Sequence, residues 1–217
     1  MYVGRIVAIG QTPKGRAAGL YRVSSRSFPH REGVVEGGKA AIVPKQGYEG
    51  DIGKNPYIAY NCVRFAAGRL IVTNGAHTDP VAEKIAIGMN SRDALAMALL
   101  ALDYEKDNYS TPRIAAVIEE SGSTGYLGIV RKDALLITAF ELTPGKLFYV
   151  CTYDHNAPSP DYSDPDFAGE TAPEACQYIL SQGVFSSMEY PVTSVCAVAD
   201  ENGEYQMSAM NAENGQD

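Results

Sequence analysis

Residues 114–118 read Ile-Ala-Ala-Val-Ile. Five apolar residues in a row leave a strand no polar face, because successive side chains point to opposite sides. A strand buried on both faces needs a layer on each side of it. Short links between neighbouring strands make the pairing mostly antiparallel, and the helical stretches come in separate blocks. The stretch therefore predicts an α+β fold: two stacked, mostly antiparallel sheets with helices outside.

Outward from there, strands are expected at Tyr2–Ile9, Gly19–Val23, Lys39–Val43, Tyr57–Phe65 and Arg69–Thr73, each bounded by Gly, Pro or Ser. Helices follow. Asp79 is the expected N-cap of the first, with Pro80 at its first helical position. Ser91 is the expected cap of the second, which buries Ala94, Leu95, Ala98, Leu99 and Leu102. Strands resume at Arg113–Ile118, Tyr126–Val130, Leu135–Phe140 and Lys146–Thr152. Ala157–Gly169 reads as a loop. Thr171 and Glu174 form a capping box for a third helix through Leu180. Val192–Ala199 and Glu204–Ser208 make a last hairpin over Asn202-Gly203. From Asp200 onward there are five acids and no Lys or Arg, so about 210–217 is expected to be a flexible acidic tail on a single domain spanning 1–217.

A net charge of -8 and a pI near 4.9 disfavour nucleic-acid or anionic-membrane partners, which want a basic face. No apolar run approaches the length of a membrane helix, and no secretory signal pattern opens the chain. Cys62, Cys151, Cys176 and Cys196 are widely spaced and three sit in apolar runs. They read as buried thiols rather than zinc ligands, which fits a cytoplasmic protein.

Against this acidic background, Tyr21–Arg31 (YRVSSRSFPHR) collects Arg22, Arg26 and Arg31 among Ser24, Ser25 and Ser27. Guanidinium forks and hydroxyls suit a phosphate; a solvated loop pairing with surface acids is the alternative. Asn55–Arg64 (NPYIAYNCVR) carries more polar tips, Tyr60 and Asn61 among them, than a core strand wants. Simple alternation puts Tyr60, Cys62 and Arg64 opposite Asn61 and Val63. Thr73–Asp79 (TNGAHTD) sets Asn74 and His77 at a helix N-terminus, or is only a turn and a cap. Asp103–Asp107 (DYEKD) places Glu105 and Lys106 at a helix C-terminus, where the dipole raises a carboxyl pKa, unless the helix has already ended. Arg113 follows close by. No P-loop, nucleophile elbow, zincin motif or dinucleotide fingerprint is present.

The strings MYVGR, YRVSSRSFPHR, NPYIAYNCVR, NGAHTD, GMNSRDALAMALLALDYEKD and TPRIAA occur in order over residues 1 to about 118. In these the chain resembles the archaeal-type inosine monophosphate (IMP) cyclohydrolase family. The resemblance implies a four-layer αββα sandwich like that of N-terminal-nucleophile hydrolases. It implies dehydrative ring closure of 5-formamidoimidazole-4-carboxamide ribonucleotide to IMP, the last step of purine synthesis, with no metal or organic cofactor. This is the cyclic-amidine hydrolase class working in the synthetic direction. The partner implied is a small purine ribonucleotide; homo-oligomerisation is left open. Tyr60, Glu105, Asn74, Arg113 and Lys106 are the catalytic candidates. Arg22, Ser24, Arg26, Arg31, Asn61 and His77 are the substrate-binding candidates. True N-terminal-nucleophile enzymes expose Ser, Thr or Cys at the mature terminus, whereas residue 2 here is Tyr and the first cysteine is Cys62. An amide hydrolase of that type and a non-catalytic purine-nucleotide binder are the rival classes.

Overall fold

Two antiparallel sheets lie face to face in the computed structural model, which describes residues 1–212. The strands are β1 (Ile6–Gln11), β2 (Ala17–Ser24), β3 (Arg31–Glu36), β4 (Lys39–Pro44), β5 (Tyr60–Ala66), β6 (Arg69–Thr73), β7 (Arg113–Ile118), β8 (Thr124–Arg131), β9 (Ala134–Glu141), β10 (Leu147–Cys151), β11 (Ser163–Asp164), β12 (Pro191–Ala199) and β13 (Tyr205–Asn211). The helices are α1 (Asp51–Lys54), α2 (Thr78–Ala86), α3 (Ser91–Leu102) and α4 (Ala172–Ser181). One sheet runs β11-β10-β1-β2-β12-β13, the other β3-β4-β5-β6-β7-β8-β9.

Three apolar clusters separate four layers. Between the sheets, Val7, Ile9 and Val195 meet Leu70, Val72 and Ile114. Under α4, Cys176 and Ile179 pack on Leu20 and Cys196 of the first sheet. Under α2 and α3, Val81, Ile85, Leu95 and Leu99 pack on Ala115 and Val117 of the second. Strand β7 lies in the middle of its sheet, so Ile114 and Ala116 face one cluster and Ala115 and Val117 the other. That is the αββα order expected from residues 114–118. All four cysteines are buried thiols.

Local differences have local causes. Tyr57 and Ile58 belong to a 3-10 turn, Pro56–Ile58, because Pro56 fixes φ and the Asn55 side chain accepts from the Tyr57 N–H. Asp79 lies inside α2 rather than capping it. Asn90, not Ser91, caps α3 by accepting from the Asp93 N–H. The Thr171–Glu174 capping box forms as expected. β3, an unexpected strand, forms at the sheet edge with its outer half exposed. In β5 the register slips between Ala40/Val63 and Ala41/Asn61, leaving Cys62 as the extra residue of a bulge. Simple alternation fails there: Cys62 and Val63 both face the inter-sheet core, and Asn61 and Arg64 both reach Asp79 on α2. Of the tail expected over about 210–217, Met210 and Asn211 are strand residues paired with Ser194 and Thr193; residues 213–217 lie outside the described residues.

Candidate active site

The starts of β1, β3, β5 and β7 and the ends of β2 and β10 meet at one rim of the sandwich. There Arg5, Tyr21, Arg31, Tyr60, Glu105 and Arg113 converge, all buried or nearly so. Glu105 is the centre. Its Oε2 accepts from Arg5 Nη2 at 3.0 Å, and its Oε1 lies 3.8 Å from Arg113 Nη1. Three polar atoms of this cluster, Glu105 Oε1, Arg5 Nε and Arg113 Nη1, are buried without a hydrogen-bond partner among the described residues. Buried polar atoms are rarely left so, and these three belong to one triad of residues.

Each side chain is delivered by its own segment. Gly4 has φ 74°, and a Cβ there would stand 2.1 Å from Thr152 Oγ1 and 2.7 Å from the Tyr153 ring. Only glycine lets the chain press against β10, where Thr152 Oγ1 accepts from the Arg5 N–H at 3.1 Å. Arg5 is thereby aimed inward, which gives the MYVGR string its physical meaning. Glu105 comes from the loop after α3. That helix ends at Leu102, and Asp103 takes φ 55° as its C-cap. The Glu105 N–H then donates to Thr111 O at 2.8 Å. The Asp107 carboxylate accepts from the Thr111 N–H and hydroxyl, turning the loop back.

Arg113 is held from three sides. Its Nε donates to Asp103 O at 2.9 Å. Asn74 bridges its neighbours, donating to Pro112 O and accepting from the Ile114 N–H at 2.8 Å. His77 Nε2 donates to Ile114 O at 3.0 Å, since a carbonyl can only accept. Gly75 leaves the room this requires: a Cβ there would come 2.7 Å from Arg113 Nη1. At the floor, the Tyr21 and Tyr60 hydroxyls lie 2.6 Å apart.

Burial dominates the titrations. It pushes the Glu105 carboxyl up, while Arg5 and Arg113 pull it back. It works against the charge of Arg5, but the Glu105 carboxylate together with Tyr60, Tyr21 and Tyr153 outweighs it and Arg5 stays cationic. Burial lowers Arg31 and raises Tyr60, each partly offset by the other. His77 is depressed to about 3 by burial and then by Arg113, so it is neutral. The rise at Glu105 comes from desolvation rather than from the helix dipole expected at Asp103–Asp107, because the helix has ended before it.

A cleft of about 310 Å³ opens beside this cluster, lined by Tyr2, Arg5, Ser25, Arg26, Ser27, Phe28, Asn55, Asp107, Tyr109 and Tyr153. Arg26 lies over the Tyr2 ring at 4.3 Å, with its side chain 56% exposed and its Nη2 3.5 Å from the Glu189 carboxylate. A larger cleft of about 510 Å³ opens at the opposite rim. Its lining mixes Lys14 and Arg16 with Glu120, Asp200 and Glu201, and Arg16 already donates to Glu170. The convergent buried charges are at the first rim.

Several expected residues stand elsewhere. Arg22 is fully buried under α4, donating to the carbonyls of Ile179, Leu180, Phe185 and Met188 and to Ser24 Oγ. Both Arg22 and Ser24 are thus committed to the fold, not presented to a ligand. Asn61 donates to both Asp79 oxygens on the helix side of its sheet. Lys106 is exposed, pairing with Asp103 and covering the Tyr104 ring. Asn74 and His77 hold β7 rather than face the cleft. Tyr60, Glu105, Arg113 and Arg31 are brought together, with Arg26 at the mouth. Arg5, Tyr21, Tyr2 and Tyr153 escaped the sequence reading. The one local signal for Arg5 was the glycine before it.

Fold and site together define a class: an αββα sandwich whose sheet rim holds a buried carboxylate between two guanidiniums beside a small cleft. The family described as IMP cyclohydrolase-like protein matches residues 2–203. An IMP cyclohydrolase of Methanosphaera stadtmanae is 49% identical, covering 91% of this chain and 94% of the relative. One from Methanocaldococcus jannaschii is 43% identical over 94% of this chain and 96% of its own, and one from Halobacterium salinarum 46% identical over 81% and 84%. The chain belongs to the IMP cyclohydrolase-like family.

Proposed function

We propose that this chain is an IMP cyclohydrolase whose chemistry is carried by Glu105, Tyr60, Arg5 and Arg113. The supporting observation is the buried Glu105 between Arg5 and Arg113, with its second oxygen free of hydrogen-bond partners among the described residues. The substrate is 5-formamidoimidazole-4-carboxamide ribonucleotide. Its carboxamide nitrogen attacks the formyl carbon, forming a C–N bond and turning the formyl oxygen into an oxyanion. Glu105 takes the proton from the attacking nitrogen; its raised pKa suits a group that must accept a proton and return it. Tyr60 O–H, Arg5 Nε and Arg113 Nη1 are the donors for the oxyanion. In the second half, Glu105 returns its proton to the oxyanion, making a hydroxyl, then takes the proton of the former formamide nitrogen and passes it to that hydroxyl, so that the C–O bond breaks and water leaves. A C=N bond to that nitrogen completes the ring.

Both reacting groups are on one molecule, so the cleft's task is to hold the reactive conformer. Tyr2, Tyr109 and Tyr153 supply apolar faces for the ring. Arg26, Ser25 and Ser27 at the mouth suit the 5′-phosphate, in place of Arg22 and Ser24. Arg31 sits deeper, close enough to Tyr60 and Arg5 for their charges to interact. The four buried thiols suit a reducing, cytoplasmic setting, and no helix among the described residues is long and apolar enough to cross a membrane. The test is the ultraviolet change on adding purified protein to the formamido ribonucleotide, with conversion expected. Tight IMP binding without turnover would leave a non-catalytic binder, and release of formate from the substrate would indicate an amide hydrolase.

A further inference from the structure

We infer that Tyr21, buried between the sheets and away from the substrate, fixes the proton order of the site by donating its hydroxyl to Tyr60. The inference rests on the reading of Tyr60 as an oxyanion donor.

The two phenol oxygens are 2.6 Å apart, and that distance alone permits either to donate. Their surroundings break the tie. Tyr21 lies in the middle of β2, opposite Val7 and Val195 on the neighbouring strands, and is fully buried in the inter-sheet core. Among the described residues, Tyr60 is the one hydrogen-bond partner of its hydroxyl. Were Tyr21 the acceptor, its own proton would be enclosed with nothing to receive it, which is costly in an apolar core. Tyr60 stands at the start of β5, on the rim, and the Glu105 carboxylate, near enough to act on its charge, is the acceptor on that side. So Tyr21 donates, and the Tyr60 proton is left to point toward the reacting atoms.

The titration pattern agrees. Burial raises both phenols, and within that rise the shared bond lowers Tyr60 and raises Tyr21. Tyr60 is then the phenol whose charged form the pair stabilises, and Tyr21 keeps its proton. The charged and titratable groups facing the pair are Arg5, Arg31 and Glu105 around Tyr60, and Arg5 and Cys62 near Tyr21. Tyr21 touches no reacting atom in this scheme. It is a positioning residue, which both aims Tyr60 and makes it a stronger donor as negative charge develops on the substrate.

The experiment is a double-mutant cycle with Tyr21→Phe, Tyr60→Phe and the double variant, measuring kcat and KM for the formamido ribonucleotide, the pH profile of kcat, and the thermal midpoint. Tyr21→Phe is expected to lower kcat about tenfold, the worth of one hydrogen bond in a barrier. KM should stay within about twofold, and the alkaline limb of kcat should move to higher pH. With Tyr60 already Phe, removing the Tyr21 hydroxyl should cost no further rate. If Tyr21→Phe does not fold, 3-fluorotyrosine at position 21 keeps the packing while strengthening the donor. It should then move the alkaline limb to lower pH. An impaired Tyr60→Phe beside a Tyr21→Phe, or an unmoved fluorotyrosine variant, with normal kcat and pH profile overturns the inference alone; so do rate losses that multiply in the double variant. Full activity in Tyr60→Phe overturns the oxyanion reading of Tyr60, and this inference with it.

Discussion

At Glu105, burial and two guanidiniums act in opposite directions, and burial prevails. A base must be ionised to work, so kcat/KM should fall as pH drops through a value above the ordinary 4.5 of this carboxyl. Glu105→Gln should remove that acid limb and lower kcat by about 10²–10⁴. Tyr60→Phe should lower it by about 10²–10³. Both variants keep side-chain volume, so KM should move little, while the thermal midpoint should fall, because one leaves buried Arg5 without its counter-charge and the other leaves the Tyr21 hydroxyl without a partner. Loss of stability with intact kcat would make both residues structural. At the mouth of the cleft, Arg26→Ala should weaken substrate binding about ten- to hundredfold while kcat holds, because a phosphate contact is remote from the reacting atoms. Unchanged affinity would move the phosphate site elsewhere. Tyr60 and Glu105 were legible in the sequence as polar residues where a core strand or a helix end does not want them, and Arg113 by following close behind Glu105 at the start of a strand. Arg5 was not, because nothing in Gly4-Arg5 says which way the side chain turns until Thr152 and Tyr153 press on the glycine.

The elements that carry these residues are held by buried polar groups. Arg22 joins β2 to the α4 end and the segment after it by donating to the carbonyls of Ile179, Leu180, Phe185 and Met188. Arg22→Met keeps much of the apolar stem but strands those carbonyls, so a loss of more than about 3 kcal/mol is expected in urea denaturation. Substrate affinity of the folded fraction should be unchanged, the opposite of a phosphate ligand's signature. His77 ties α2 to β7 in its neutral form. Its pKa is about 3 in the fold against an ordinary 6.5. Between those values the unfolded chain binds a proton that the folded chain refuses, so stability falls as pH falls from about 6.5 toward about 3. His77→Gln can still donate to Ile114 O but cannot protonate. A urea series across that range should show a shallower loss for the variant; an unchanged slope would mean that His77 titrates normally.

Across the whole molecule, the acidic surface and the cluster of buried charge are separate features. Among the described residues, no three His, Cys, Asp or Glu side chains converge to hold a metal ion. In the proposed scheme the electrophilic help is assigned to the guanidiniums of Arg5 and Arg113 and the Tyr60 phenol. Cyclisation should therefore proceed in excess chelator, and an activity lost there and restored by one divalent ion would refute this. What the sequence by itself determined was the layering. A strand apolar on both faces, such as residues 114–118, needs cover on each side, and amphipathic α2, α3 and α4 supply the outer layers. Those signals are local, since they depend on the spacing of apolar residues along a few turns or strand pairs. What only the tertiary structure decided was which polar residues face one another. The Cys62 bulge turns Asn61 toward α2, and α4 claims Arg22. Arg5 meets Glu105, one hundred positions away, across the rim. Burial, and with it the titration of every group in the site, is a property of such long-range packing, because the desolvation that raises Glu105 exists only once both sheets have closed around it.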